Sequence, residues 1–257
     1  MKLRRCISTC AVAAALVSLG ASRAHAQEGP YVEAMAELSP VKIGGYETTW
    51  RVGRVGGGIQ TSHGGWNAAV ERHERGRLID WTGQAGAFQR LGDWTWDAAA
   101  AYSQEPQFLY RESYEAGVSR RIVGGLVLRG GYRYLEFPST IVRIAEPGTT
   151  FYFARGEVGA QGFIVSNDTS ANPSTIVLVR SAIDLSRHVA ISGGAAIGAR
   201  IFDVDTSGHS SQDAWQAFAS MRVHSAAHWT MELIAGGAHE DPLFNQQTVA
   251  TRLRWTF

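Results

Sequence analysis

The sequence predicts an all-β fold, a transmembrane antiparallel β-barrel of about 14 strands (range roughly 12–16) that follows a cleaved signal peptide. Three observations predict it. Segments of alternating apolar and polar residues recur along the chain and are separated by turn residues. The connections between these segments are alternately longer and shorter, as in outer-membrane barrels. The eight tryptophans all fall near the ends of segments.

The N-terminus has the layout of a secretory signal peptide. Met1–Arg5 is basic, Ile7–Gly20 is apolar and uncharged, and Ala24–Ala26 is a small-x-small cleavage site. We therefore expect residues 1–26 to be the signal peptide and residues 27–257 to form a single barrel domain.

Composition excludes several functional classes. The chain has 24 Lys and Arg against 23 Asp and Glu, and removal of the four cations in the signal peptide leaves 20 against 23, a net charge of −3. Such a chain lacks the basic surface that nucleic acid requires. Both cysteines, Cys6 and Cys10, lie in the signal peptide, so the mature chain is expected to have no disulfide, thiol nucleophile or thiolate metal site. No apolar run is long enough for a transmembrane helix.

The predicted strands are long enough to cross a bilayer at a tilt. They are approximately Tyr31–Leu38, Glu47–Gly57, Trp66–Glu74, Leu78–Gln89, Trp94–Ser103, Tyr110–Arg120, Gly125–Phe137, Thr140–Phe153, Gly156–Val165, Thr175–Leu185, Val189–Val204, Asp213–Val223, Trp229–Ala238 and Gln246–Phe257. Pro147-Gly148 falls inside the eighth segment. Because proline cannot donate a ladder hydrogen bond, this dipeptide predicts a bulge or a hairpin turn.

The connections predict which end of the barrel faces outwards. With both termini on the side of the short connections, the strand number is even and that side faces the periplasm. The longer, polar connections on the other side are Ser39–Tyr46, Gln104–Leu109, Ser166–Ser174, Asp205–Gln212 and Glu240–Asn245.

Tryptophan positions predict two aromatic girdles, because indole prefers the headgroup depth of a bilayer. The short-turn side would hold Trp66, Trp94, Trp96, Trp229 and Trp255, and the long-loop side Trp50, Trp81 and Trp215. The alternative is that tryptophan marks strand ends in a soluble β-protein. That alternative does not explain why no tryptophan occupies the centre of a segment.

Alternation along the strands predicts the side chains of the barrel interior. In Leu126–Tyr134, for example, Arg129 and Arg133 oppose the apolar face. An arginine facing lipid at mid-depth costs roughly 2–4 kcal/mol, so this parity is strongly enforced. The candidates for lining the lumen and contacting a solute are Arg129, Arg133, Arg180, Arg200, Arg222, Glu232, Arg252 and Arg254, together with Asp97 and Glu115.

Two interpretations of these inward charges stay open. The arginines could form a lumen selective for anions or sugar acids, since charged rings set pore selectivity. Alternatively, four of them pair with carboxylates and fill the interior, as enclosed charges usually do. The arginines concerned are Arg129, Arg133, Arg252 and Arg254, and the expected carboxylates are Glu115, Glu157 and Glu232.

The last segment carries the sharpest motif. Leu253, Trp255 and the terminal Phe257 share one face of an alternating strand. This arrangement resembles the signal read by the barrel-assembly machinery of the outer membrane. We therefore expect that machinery to be a partner of the chain.

The chain resembles the YaiO-type outer-membrane β-barrel family. The resemblance lies in Gly131–Tyr134, the aromatic strand Phe151–Phe153, the closing Arg252–Phe257, the signal peptide and the mature length. It implies a surface-exposed protein of the bacterial outer membrane, without a catalytic motif. It also implies an association with polysaccharide synthesis or export, which related barrels have.

Several polar groupings were considered as catalytic or metal sites. His73 with Glu71 and Glu74 could be a general base or a metal pair, but salt bridges to Arg72, Arg75 or Arg77 are the simpler expectation. The segment Thr61–Gly65 predicts a solvated turn, the pair His224 and His228 flanks a turn, and Asp203, Asp205, Asp213 and His209 predict a solvated loop. We expect no enzyme activity, no metal and no cofactor.

The sequence thus predicts a channel or a structural component associated with polysaccharide export. The alternatives are an outer-membrane enzyme that acts on lipid or peptide, and a non-transporting surface protein. The expected partners are outer-membrane lipid including lipopolysaccharide, the barrel-assembly machinery and polysaccharide.

Overall fold

A computed structural model describes residues 28–168, 172–199, 213–225, 228–240 and 244–257. The signal peptide predicted for residues 1–26 lies outside these ranges. The described residues form fifteen strand segments. They are β1 (Gly29–Ile43), β2 (Tyr46–Gln60), β3 (Gly64–Arg75), β4 (Leu78–Leu91), β5 (Trp94–Ser103), β6 (Glu112–Val123), β7 (Leu126–Glu136), β8 (Ile141–Ala145), β9 (Gly148–Phe153), β10 (Gly156–Asn167), β11 (Ser174–Asp184), β12 (Val189–Ala199), β13 (Asp213–His224), β14 (Trp229–Glu240) and β15 (Phe244–Thr256).

The segments close into one antiparallel barrel. Apart from β8 and β9, which do not pair with each other, each segment pairs with its neighbours along the chain, and β1 pairs with both β2 and β15, so the sheet has no free edge. Segments β8 and β9 share one position between β7 and β10, which leaves fourteen positions around the barrel. The predicted fold is confirmed. In the part of the chain that the structure describes, no helix is long and apolar enough to cross a bilayer.

Pro147 interrupts hydrogen bonding but not register. Arg129 pairs with Gly148 and Tyr132 with Ala145, so both segments keep one register against β7. The Gly162 amide donates to the Pro147 carbonyl at 2.8 Å, whereas Pro147 has no N–H to return a bond. The expected bulge or hairpin turn is therefore wrong, because a proline removes a single donor without displacing the chain.

Side chains alternate between lipid and lumen as predicted. On β7, Leu128 and Tyr132 are about half exposed on the outside, whereas Arg133 is buried inside. The outer face of the barrel is apolar over most of its height, since a sheet in a bilayer must present an apolar surface to lipid.

Trp50 departs from the girdle prediction. Seven tryptophans lie on the outer face or at its rim, but Trp50 points inwards and packs with Val41 and Phe244. The parity of β2 decides this, because Arg54 on the same face must also point inwards. Proximity to a strand end therefore does not distinguish a girdle residue from one that closes the lumen.

The connections fix the orientation of the barrel. The end that carries the N- and C-terminal strand ends has short turns such as Gly92-Asp93 and Ala154-Arg155, and we take it as periplasmic. The loop predicted at Ser39–Tyr46 is mostly strand, because Val41 and Ile43 pack inside the barrel and only Gly44-Gly45 turns. The connection after β5, residues 104–111, is the longest in the described part of the chain.

Candidate functional site: the barrel lumen

Glu232 lies at the centre of the first group of charges in the lumen. It is buried on β14, and its carboxylate accepts hydrogen bonds from Arg222 and Arg252, each at 3.1 Å. The Ser220 hydroxyl donates to the same carboxylate at 3.1 Å. Because Arg222, Glu232 and Arg252 are register partners on three adjacent strands, the strand pairing itself brings them together.

A second line of ion pairs continues around the wall from β15 to β3. Arg254 contacts Glu33 at 2.8 Å, and Arg54 lies between Glu33 at 3.5 Å and Glu71 at 3.4 Å. Glu71 also bonds to His73 at 2.9 Å and accepts from the Gln84 amide at 2.8 Å. The cationic group of each arginine thus meets at least one carboxylate.

The opposite wall carries a third group. Arg129 binds Asp97 through two hydrogen bonds of 2.7 and 2.9 Å, which is the bidentate geometry of the strongest charge-assisted pairs. Glu115 lies 3.7 Å from Arg129 and 3.1 Å from Arg133. Arg133 also meets Glu146 at 3.2 Å. Glu146 is almost fully enclosed, with 1% of its surface exposed.

Gly117 makes room for the pair formed by Arg129 and Asp97. A Cβ atom at this position would lie 2.6 Å from the Arg129 guanidinium and 2.7 Å from the Asp97 carboxylate. The side chains of Arg129 and Asp97 can meet across β6 because Gly117, which lies between them, has no side chain.

An apolar cluster lies inside the outer end of the barrel. It combines inward residues of β7, β8, β10, β11 and β12 with the connection at residues 104–111, here called the plug loop. The buried members are Phe108, Leu109, Leu135, Phe137, Val142, Ile144, Phe163, Val165, Leu178 and Ala196. Phe108 and Leu109, at 1% and 3% exposure, bring the plug loop into the barrel rather than over it.

Asp80 tethers the plug loop. Its buried carboxylate accepts backbone N–H bonds from Gln107, Phe108 and Leu109 at 2.9–3.1 Å. One side chain of the wall thus satisfies three consecutive amides of the loop, which a turn inside the barrel would otherwise leave without acceptors. The Arg75 guanidinium adds a stacking contact, 4.5 Å from the ring centres of both Trp50 and Phe108.

Tyr110 provides a pH-dependent test of the inward position of the plug loop. Burial raises the pKa of its phenol to about 12, whereas an unfolded tyrosine titrates near 10. The contribution to stability is therefore complete below pH 10 and is lost as the pH rises towards 12. We expect the difference in phenolate absorbance between the wild type and Tyr110→Phe to titrate near 12. A difference curve centred near 10 would show that the loop leaves Tyr110 in water.

The inward residues predicted from the sequence lie as follows. Arg129, Arg133, Arg222, Glu232, Arg252 and Arg254 point into the lumen and form the ion pairs described above, and Arg180 lies on the inner face of β11. Arg200 lies outside the described residues. The partners include Glu115 and Glu232, as expected, with Asp97, Glu146 and Glu33 in place of Glu157.

The three residues predicted as an assembly signal share the outer face of the last strand. Leu253 and Phe257 are exposed, and the Trp255 ring lies 4.5 Å from the Trp229 ring. The Phe257 amide donates to the Pro30 carbonyl at 3.0 Å, which holds the C-terminus against β1. Recognition by the assembly machinery stays a prediction.

The polar groupings considered as catalytic sites have structural partners. In the turn after β2, the Thr61 hydroxyl bonds to Gly64, and Ser62 contacts the ring of its neighbour His63 at 3.1 Å. Of the salt bridges expected from Glu71, His73 and Glu74 to Arg72, Arg75 or Arg77, the one between Arg72 and Glu74 forms, at 2.9 Å. Glu71 pairs with Arg54 across the lumen face, whereas Arg72 points outwards, because adjacent strand residues occupy opposite faces.

The remaining groupings lie at the rims. The His224 ring bonds to the Thr230 hydroxyl at 3.0 Å. Asp203, Asp205 and His209 lie outside the described residues, as does the side chain of Asp213. Within the described ranges, no group of three or more His, Cys, Asp or Glu side chains could hold a metal ion.

Five interior residues were not anticipated from the sequence, namely Glu33, Arg54, Asp80, Glu146 and Phe108. Arg54 and Glu33 could have been found, since each is a lone charge between small or apolar neighbours in a predicted strand. Phe108-Leu109 is likewise an apolar pair at the end of the predicted polar loop Gln104–Leu109, directly before Tyr110. Asp80 carries no such signal, because its partners lie 27–29 positions along the chain.

A closed antiparallel barrel with an apolar outer belt and a charged lumen defines an outer-membrane β-barrel protein, located in the bacterial outer membrane. The YaiO membrane beta barrel domain matches residues 41–191, which is more than half of the chain. The chain therefore belongs to this family. No curated protein sequence matches it.

Solved structures support the same class. The translocator domain of the autotransporter NalP from Neisseria meningitidis is 15% identical, with 98% of this chain and 99% of that one covered and a TM-score of 0.53. The toluene transporter TodX of Pseudomonas putida is 10% identical over 95% and 93%, with a TM-score of 0.61. Omp33 of Acinetobacter baumannii is 12% identical over 90% and 99%, with a TM-score of 0.52. These likenesses concern the fold.

Proposed function

We propose that the protein is a non-conducting structural barrel that takes part in handling surface polysaccharide at the outer membrane. The observation that carries the first part is the plug loop, whose Phe108 and Leu109 are buried inside the outer end of the barrel. Solute diffusion needs a continuous water-filled path, and a buried apolar cluster inside the outer end opposes one. The polysaccharide part rests on the resemblance described in the sequence analysis, which implies the association with polysaccharide synthesis or export that related barrels have. We propose no enzymatic role.

The charged groups of the lumen support a structural role. Seven inward arginine and glutamate side chains in the first two groups form ion pairs with one another across adjacent strands, at 2.8–3.5 Å. A selective pore instead needs charges whose hydrogen-bonding capacity is left for the solute. Paired charges of this kind fix strand register and rigidify the wall.

Conductance and surface polysaccharide test the two parts separately. The purified wild-type protein in planar bilayers is expected to give no stepwise current, and regular wild-type current steps would refute the non-conducting role. In the source bacterium, deletion of the gene is expected to lower surface polysaccharide, and the wild-type gene should restore it. An unchanged amount of polysaccharide after deletion would remove the polysaccharide part alone.

A gated channel is the second candidate. It is favoured by one observation, namely that the plug loop is not part of the sheet and that three of its backbone amides depend on the single carboxylate of Asp80. The same bilayer measurement on a variant without this carboxylate tests the second candidate, because a gated channel requires that release of the loop opens a conducting path.

A further inference from the structure

We propose that Arg51 and Arg72 on the outer surface of the barrel bind a phosphate group of lipopolysaccharide. Both side chains point away from the lumen, and 57% and 38% of their surfaces are exposed. The site is a lipid-facing one on β2–β4, separate from the lumen, and it does not depend on the function proposed above.

The two guanidinium groups converge on one carboxylate. Arg51 contacts Glu74 at 3.1 Å and Arg72 contacts the other oxygen of Glu74 at 2.9 Å, each through a single nitrogen. The trio keeps a net charge of +1. An arginine carries five N–H donors, so one bond each leaves most donors of both groups available. The terminal oxygens of a phosphate group can accept hydrogen bonds from several of these N–H donors at once.

The height of the trio on the barrel selects the outer leaflet. Arg51 lies nine residues from Gln60, the periplasmic end of β2, which is about 23 Å at ~3.4 Å per residue and a tilt of roughly 40°. The apolar band of such barrels is about 25 Å tall, so the arginines lie at its outer edge. Outward charges are tolerated there but not at mid-depth. The outer leaflet is built from phosphorylated glycolipid, whereas glycerophospholipid forms the inner leaflet.

The surface beside the arginines fits the rest of such a lipid. Arg72 lies between Gly53 on β2 and Trp81 on β4 in the strand register. A Cβ at Gly53 would have no neighbour within 4 Å, so the surface is open there. The exposed Val55 and Val70 continue towards mid-membrane. A phosphate on the two arginines would thus place acyl chains along an apolar strip, with the Trp81 indole at headgroup level.

The test compares defined lipids on the full-length folded barrel. Affinities of bisphosphorylated lipid A, the same lipid A without phosphates, and phosphatidylglycerol are measured by displacement of a fluorescent lipid in detergent. We expect wild-type affinity for the bisphosphorylated lipid to exceed that for the other two at least tenfold. Arg51→Gln with Arg72→Gln should weaken it roughly 100-fold, about tenfold for each charge-assisted bond lost.

Matched variants separate binding from charge and from folding. Arg120→Gln with Arg121→Gln removes two cations at the periplasmic rim and should leave the affinity unchanged. Glu74→Gln removes the competing carboxylate and should strengthen binding, a gain that a purely structural ion pair would not give. Heat-modifiable gel migration reports folding. If the double glutamine variant does not fold, Arg51→Lys and Arg72→Lys keep the charge and should each weaken binding severalfold.

Several outcomes would overturn the proposal. They are an unchanged affinity in the Arg51 and Arg72 variants, an equal loss in the rim variant, and tight binding of phosphatidylglycerol that depends on the same two arginines. The last result would indicate a site for anionic phospholipid.

Discussion

Glu232→Ala should destabilise the barrel by about 3–5 kcal/mol, because it leaves two enclosed arginines without a counter-charge. Glu232 is 6% exposed, and its carboxylate is shared between Arg222 and Arg252. Removing it exposes both cations to a low-dielectric interior and also removes the acceptor of the Ser220 hydroxyl. Urea unfolding in lipid vesicles, followed by heat-modifiable migration, measures the loss.

Glu47→Ala provides the matched control for this prediction. Glu47 pairs with Lys42 at 3.5 Å, but 76% and 59% of the two side chains are exposed. Pairs of this kind contribute about 0–1 kcal/mol. If the two glutamate variants lose similar stability, the lumen charges are solvated and the ion-pair account of the interior is incorrect.

Asp80→Ala should release the plug loop. Three backbone amides lose their acceptor, and hydrogen bonds to a charged group contribute roughly 1.5–3 kcal/mol each. We expect the population of the released loop to rise at least 100-fold, because the loss of two such bonds already amounts to about 3 kcal/mol. Chymotrypsin cleavage after Phe108 measures it, because this side chain is accessible only when the loop has left the lumen.

Asp93→Ala controls for the loss of an acidic side chain, since Asp93 lies in a periplasmic turn away from the loop. Equal cleavage of the Asp80 and Asp93 variants would mean that the tether does not hold the loop. Bilayer current in the Asp80 variant alone would favour the gated channel, whereas its absence would favour the structural barrel.

The alternation of apolar and polar residues along the chain predicted most of the strands of the sheet. Each of the fourteen predicted segments overlaps one barrel position, because lipid enforces alternation in every strand, and so Arg129, Arg133 and Arg252 were placed inside by parity alone. The contacts of the interior are set by register across strands instead. Sequence reasoning could place Arg254 in the lumen but could not choose Glu33 as its partner, since the two lie 221 positions apart.

The plug loop shows a second limit. Gln104–Leu109 was expected as a polar outer connection, and its position between β5 and β6 is as expected. Its inward fold depends on Asp80 and on the apolar faces of five other strands, none of which is a neighbour in sequence. Long-range packing of this kind leaves only an indirect trace, which is the apolar pair Phe108-Leu109.

The inward Trp50 gives the molecule an optical sensor. Brominated acyl chains quench the fluorescence of indoles that contact lipid. They should therefore quench the seven outer tryptophans but not Trp50. The remaining fluorescence then comes from the Trp50 indole. This ring contacts the Arg75 guanidinium, which also stacks on Phe108. A shift in that residual emission would follow the movement of the outer obstruction in real time, without an attached dye.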